Sequence, residues 1–132
     1  MDFIKYLKQV RAQRQINKLA KKYKNKKIVL YGAGLFAKIL LENYNCSKLN
    51  IVAICDKKYT NLKEPFCGYQ TISPRVLTDF DCDVILVSVI EDVAIGNYLR
   101  DDLLIGTKNE DKEVTGFIKP TIWYCIKTLI WG

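Results

Sequence analysis

The sequence predicts a three-layer α/β/α domain built on a parallel sheet of about five strands in the order 3-2-1-4-5, with extra helices at both ends. Three observations predict it. Short, nearly continuous apolar runs at Ile28–Tyr31, Ile51–Cys55 and Asp83–Ile90 read as strands covered on both faces. Stretches of helical spacing separate them, and strands that alternate with helices are joined by crossovers, which make them parallel. The chain has 132 residues, 49% of them hydrophobic, with seven Gly and three Pro, which suits one globular domain with a real core.

Residues 1–25 supply the first element. Phe3, Ile4, Leu7, Val10, Ile16, Leu19, Ala20 and Tyr23 recur at three- and four-residue intervals, predicting one amphipathic helix. Lys5, Lys8, Arg11, Arg14, Lys18, Lys21 and Lys22 largely fill its other face. Residues 1–27 hold ten Lys or Arg against the single acid Asp2, a formal +9, whereas residues 28–132 sum to −2. Three readings compete for that charge. The helix packs on the domain or on a sister subunit with a solvated basic face, or residues 3–24 are attracted to an anionic membrane surface. Nucleic acid is disfavoured, because the segment offers charge without a reader motif or a stacking platform.

The domain proper spans residues 26–120 and is organised around Lys26–Asp56. The strand Ile28–Tyr31 runs directly into Gly32-Ala33-Gly34, and Leu35, Phe36, Ile39, Leu40 and Tyr44 then give a helix one face for packing on a sheet. Gly32 permits a tight turn out of the strand. Gly34 lets a phosphate approach the first unpaired N–H groups of the helix, and Ala37 is small enough for close helix-on-strand contact. The next strand ends in Asp56, 24 residues past Gly32, where a carboxylate can accept hydrogen bonds from a ribose diol. The pattern is G-x-G-x-x-A in a strand–turn–helix context, the fingerprint of a Rossmann-like nucleotide site. The competing reading is a glycine turn that only packs a helix on a sheet, with Asp56 a solvated strand end.

Lys57–Gly68 has the residues of a loop, and Tyr69–Ile72 a brief third strand. Ser73 as N-cap and Pro74 at the first helical position begin a helix that runs to about Phe80. The strand Asp83–Ile90 follows, then a helix opened by Glu91-Asp92 and reaching Leu103 or Leu104, a charged loop Gly106–Glu113 and a fifth strand Val114–Ile118. Residues 121–132 form a last helix, with Ile122, Trp123, Ile126, Leu129 and Ile130 on one side. Two tryptophans, Trp123 and Trp131, would be costly to leave bare, so this helix is expected to dock on the sheet, the first helix, a partner or a membrane.

Cys46, Cys55, Cys67, Cys82 and Cys125 are odd in number and widely spaced, with no C-x-x-C, and the chain has no histidine. They read as structural thiols, with no metal site and no imidazole to activate a nucleophile. No apolar run approaches the ~18 residues of a membrane span, and the amino terminus lacks the apolar core of a signal peptide. The expected location is cytoplasmic, peripheral on the inner face of the membrane if the basic segment attaches there.

Lys26–Gly34, Ile51–Asp56, Phe66-Cys67-Gly68-Tyr69 with Ile72-Ser73-Pro74, and Asp83–Ser88 together carry a resemblance. Over residues 26–120 the chain resembles the small Rossmann-like nucleotide-binding domain of bacterial polysaccharide biosynthesis proteins. That domain precedes the catalytic part of capsule-type nucleotide-sugar dehydratases and epimerases, and a similar unit begins sugar acetyltransferases of glycan pathways. The resemblance implies that Gly32, Ala33, Gly34, Leu35 and Phe36 form the phosphate-binding turn, that Asp56 is the acid after the second strand, and that Ser88 and Val89 border the crevice. It implies NAD in preference to NADP, with a UDP-sugar or coenzyme A as alternatives. Lys57 and Lys58 blur the preference, since either can pair with phosphate.

Short-chain dehydrogenases of sugar metabolism use a Tyr-x-x-x-Lys pair. Tyr23/Lys27, Tyr44/Lys48 and Tyr59/Lys63 have that spacing here, but all precede the fourth strand, whereas the pair belongs after it. The chain is therefore expected to hold only the nucleotide-binding portion, without complete catalytic machinery, as a module for surface polysaccharide biosynthesis that acts with a partner enzyme or as a homo-oligomer. The alternative is a small NAD-dependent oxidoreductase or epimerase-like enzyme acting on a nucleotide sugar. It would draw any acid or base from Asp56, Tyr31, Ser88 or a second subunit, and no catalytic residue is identified.

Overall fold

Five parallel strands form one sheet in the order β3-β2-β1-β4-β5: β1 Ile28–Tyr31, β2 Ile51–Cys55, β3 Thr71–Ile72, β4 Val84–Val87 and β5 Glu113–Gly116. The computed structural model describes residues 1–131, the side chain of Trp131 excepted. β1 lies at the centre, with Tyr31 opposite Cys55 on one side and Val87 on the other. Its alternating side chains define two faces. Ile28 and Leu30 join Ile54, Val84 and Leu86 beneath helices α1 (Phe3–Gln9), α2 (Ala12–Lys22) and α3 (Leu35–Asn43). Val29 and Tyr31 join Ala53, Cys55, Ile85 and Val87 beneath α4 (Pro74–Leu77) and α5 (Asp92–Tyr98). The architecture is the expected three-layer α/β/α, with the expected strand order.

The amino-terminal segment is two helices and not one. Arg11 breaks it with a left-handed backbone, φ 55° and ψ 57°. The cause lies in the phase of its apolar residues. Continued at 100° per residue from Phe3, a single helix would place Ile16, Leu19 and Tyr23 roughly opposite Leu7 and Val10. The break resets the phase, so Leu7, Val10, Ala12, Ile16 and Tyr23 are all buried in one core. Phe3 and Tyr6 of α1 pack on Phe36 of α3, Phe3 edge-on with ring centroids 5.3 Å apart.

Two glutamines fix α2 in place. Gln13 accepts from the Asn45 N–H at 2.8 Å and donates to the Asn45 carbonyl at 2.9 Å, tying α2 to the loop after α3. Gln15 does the same to Lys119, accepting at 2.9 Å and donating at 2.8 Å, which holds the segment after β5 against α2.

Other boundaries differ from expectation for local reasons. α4 stops at Leu77, not Phe80, because the following residues tighten into three-residue turns and the buried Asn109 amide donates to the Leu77 and Phe80 carbonyls. β4 ends at Val87, not Ile90, because β1 turns away at Gly32 and β5 ends at Gly116, leaving no strand to pair with. α5 continues directly into a π-helical turn, Leu99–Leu103. Leu35, expected on the packed face of α3, is 65% exposed.

The last helix, α6 (Ile122–Trp131), docks on α1 through Tyr124, whose ring meets Tyr6 edge-on at 5.1 Å. Trp123 remains exposed, and the side chain of Trp131 lies outside the described residues. Among the described residues no helix is long and apolar enough to cross a membrane.

Candidate functional site

The strand order reverses at β1, since β2 follows it on one side and β4 on the other, and a crevice opens there at the carboxyl ends of the strands. The Gly32-Ala33-Gly34 turn forms its floor. Gly32 has φ +121°, and a Cβ there would lie 2.7 Å from Val89 Cγ1 and 3.1 Å from the Ser88 carbonyl oxygen. Only glycine meets both conditions. Gly34 is different: its φ of −97° suits any residue, and a Cβ would meet nothing within 4 Å. The fold requires glycine at the first position and leaves the second bare.

Gly34 caps α3 without a side-chain hydrogen bond, so the first N–H groups of that helix open on the crevice. No acid stands in the first turn of α3. An anion placed there would meet backbone donors, the positive end of the helix dipole and, one turn on, Lys38.

Ala33 is held from both sides. Its N–H donates to Asp56 Oδ2 at 2.8 Å and its carbonyl accepts from the Lys58 ammonium. Asp56 Oδ1 accepts the Lys58 N–H at 3.1 Å, capping the short 3₁₀ turn Lys57–Thr60. The acid expected to face a ribose therefore also anchors the turn. Each of its oxygens keeps a second lone pair for a ligand.

Two clefts flank Gly34 and Leu35. One, of about 490 Å³, is lined by Phe36, Ser88, Val89, Ile90, Glu91 and Ile95, with Met1 and Phe3 of the amino-terminal segment. The other, of about 530 Å³, lies on the β2 side, lined by Ala33, Lys38, Glu42, Lys58 and residues 64–67. Its far wall is a two-residue turn in which Phe66 and Tyr69 exchange backbone hydrogen bonds at 3.0 and 2.9 Å. Cys67 and Gly68 between them have φ 49° and 83°, the positive angles that a type I′ turn demands. Burial pushes the exposed-edge Cys67 thiol up, with Glu42 adding to the shift and Lys38 opposing it.

Gly34, Leu35, Phe36, Ser88 and Val89 thus meet in one cleft, and Ala33, Gly34 and Leu35 in the other. Gly32, Asp56 and Lys57 belong to neither cleft lining. The Lys57 ammonium sits over the Tyr98 ring at 5.1 Å, and Lys58, the other lysine expected to pair with phosphate, lines the β2-side cleft. The Ser88 hydroxyl is turned inward, donating to the Gly32 carbonyl at 2.7 Å with that of Tyr31 at 3.1 Å, and the residue is 1% exposed. Tyr31 is buried, its hydroxyl has no partner among the described residues, and burial drives its pKa up. Neither is presented to a substrate as an acid or base. Lys38, Phe66 and Ile90 went unassigned in the sequence, although Lys38 lies four residues past Gly34 on the polar side of its helix.

Residues 24–95, 72 of the 132, match the family described as C2185-like, N-terminal. The match takes in β1 to β4, the glycine turn, Asp56, Lys58 and Ser88–Glu91. No curated protein and no solved structure matches the chain.

Proposed function

The chain belongs to the C2185-like N-terminal family, and from that footing we propose that it is a nucleotide-binding module. The ligand is NAD or a nucleotide sugar, with coenzyme A a third candidate. Its diphosphate rests on the N-terminus of α3, and its two ends enter the clefts on either side of Gly34-Leu35. The observation that carries this reading is the bare N-terminus of α3 at Gly34, a position where the fold itself has no need of glycine. Asp56 beside the turn favours a free ribose diol over a 2′-phosphate, and hence NAD over NADP.

A module fits better than an enzyme because Ser88 is hydrogen-bonded inward, Tyr31 is buried and Asp56 holds the turn. Service in bacterial surface polysaccharide assembly, beside a partner enzyme or a second copy, rests on the sequence resemblance carried by residues 26–120. A thermal-shift panel of NAD, NADP, coenzyme A and UDP-sugars tests the reading. A cognate ligand at 100 times its dissociation constant adds about 2.7 kcal/mol, a rise on the order of 10 °C for a domain of this size. No shift from any of them would overturn it. Formation of NADH from NAD and a UDP-sugar would replace the module with the oxidoreductase.

A further inference from the structure

The basic amino-terminal segment and the apolar α6 meet on one surface. The apolar residues of α1 and α2, Ile4 apart, are largely committed to the core, so that segment brings charge to the surface but little that a bilayer could take in. α6 has the opposite character. It carries no acid, and Ile122, Trp123, Ile126, Leu129 and Ile130 fall within about 120° of arc at 100° per residue. Tyr124, which docks the helix on Tyr6, points the other way. The stripe therefore faces outward, its five side chains between 40% and 87% exposed.

Cations border this stripe. A crevice beside Trp123 is lined by Arg11, Arg14 and Lys18, and the adjoining one places Lys127 with Ile126 and Ile130. None of these four cations forms an ion pair among the described residues. The Gln15 clamp on Lys119 holds the start of α6 against α2, so charge and apolar stripe are presented together.

We infer that α6 and the basic face of α1–α2 form a docking surface for an anionic lipid bilayer. The stripe lies in the boundary between headgroups and acyl chains, with Trp123 at the level where tryptophan is favoured. Arg11, Arg14, Lys18 and Lys127 then face the anionic headgroups. A second copy fits this surface poorly, because a two-fold interface would set the same cation rim against itself. The inference is independent of the crevice and its ligand.

Co-sedimentation of the full chain with vesicles tests it, using phosphatidylcholine alone and phosphatidylcholine with about one-third phosphatidylglycerol, at low salt and at about 0.5 M salt. Binding is expected to the anionic vesicles only, and to weaken at high salt. Arg14→Ala with Lys18→Ala lowers partitioning about 30-fold, at roughly fivefold per cation. Leu129→Ser with Ile130→Ser lowers it at least tenfold. All four side chains are exposed, so these variants keep the parent melting temperature. In a Trp131→Phe background the remaining Trp123 is close enough to the bilayer for its emission to shift to the blue on binding. Equal binding to neutral vesicles, no binding at low salt, or unchanged binding by the apolar double variant would each overturn the inference. So would a dimer in light scattering that Leu129→Ser disperses, because the stripe would then belong to a second copy.

Discussion

Asp56 Oδ2 accepts the Ala33 N–H at 2.8 Å, joining the end of β2 to the middle of the glycine turn that follows β1. Together with the Lys58 N–H that Oδ1 accepts, this bond ties the crevice floor to the turn after β2. Asp56→Ala leaves the Ala33 and Lys58 N–H groups without their acceptor and should cost about 2 kcal/mol of stability, the usual worth of hydrogen bonds to a charged group. Asp56→Asn, which keeps one acceptor oxygen, should recover part of that loss. Urea unfolding of the three proteins measures both.

The two glycines of the turn should respond in opposite ways. Gly32→Ala forces a Cβ against Val89 and the Ser88 carbonyl at a positive φ, and should destabilise the protein by about 3 kcal/mol. Gly34→Ala meets no protein atom and should change stability by only about 0.5 kcal/mol. Thermal melts that lower both alike would show that Gly34 serves the fold.

Cys46 is buried, and burial pushes its thiol from 9.0 up to about 11. Below pH 9 the thiol is protonated in the folded and the unfolded chain alike. Between pH 9 and 11 only the unfolded chain releases the proton, so stability falls as pH rises, by about 2 to 3 kcal/mol at ~1.4 kcal/mol per unit. Denaturant titrations at pH 8 and above should show that fall, with a shallower slope in Cys46→Ala.

The same burial pattern sorts the thiols by access. Cys67 and Cys125 are exposed, whereas Cys46, Cys55 and Cys82 are buried. A thiol-specific reagent at neutral pH should label two cysteines promptly and the other three only in denaturant. Prompt labelling of Cys55 would contradict the packing of β2.

Much of this was legible in the residues because period and punctuation agreed. Ile28–Tyr31 with Gly32, Ile51–Cys55 with Asp56, and Ser73-Pro74 each marked an element end that the structure keeps. What stayed hidden depended on partners distant in sequence. The length of β4 is set by where β1 and β5 stop pairing, and the end of α4 by Asn109 more than thirty residues away. The break at Arg11 was present in the apolar phase of residues 3–23, but only the need to bury both halves in one core makes that phase decisive. Lys58 and not Lys57 faces the crevice because Asp56 caps a 3₁₀ turn, which sets the directions of the two side chains apart.

Titration calorimetry of NAD and of a UDP-sugar into the full chain and into Gly34→Ala tests the central claim most directly, because the substitution adds one methyl group where the diphosphate would approach. The account predicts that at least one of these ligands binds the parent chain and binds Gly34→Ala at least tenfold more weakly, with the melting temperatures nearly equal. Heats absent from both titrations, or equal affinity for the two proteins, would contradict it.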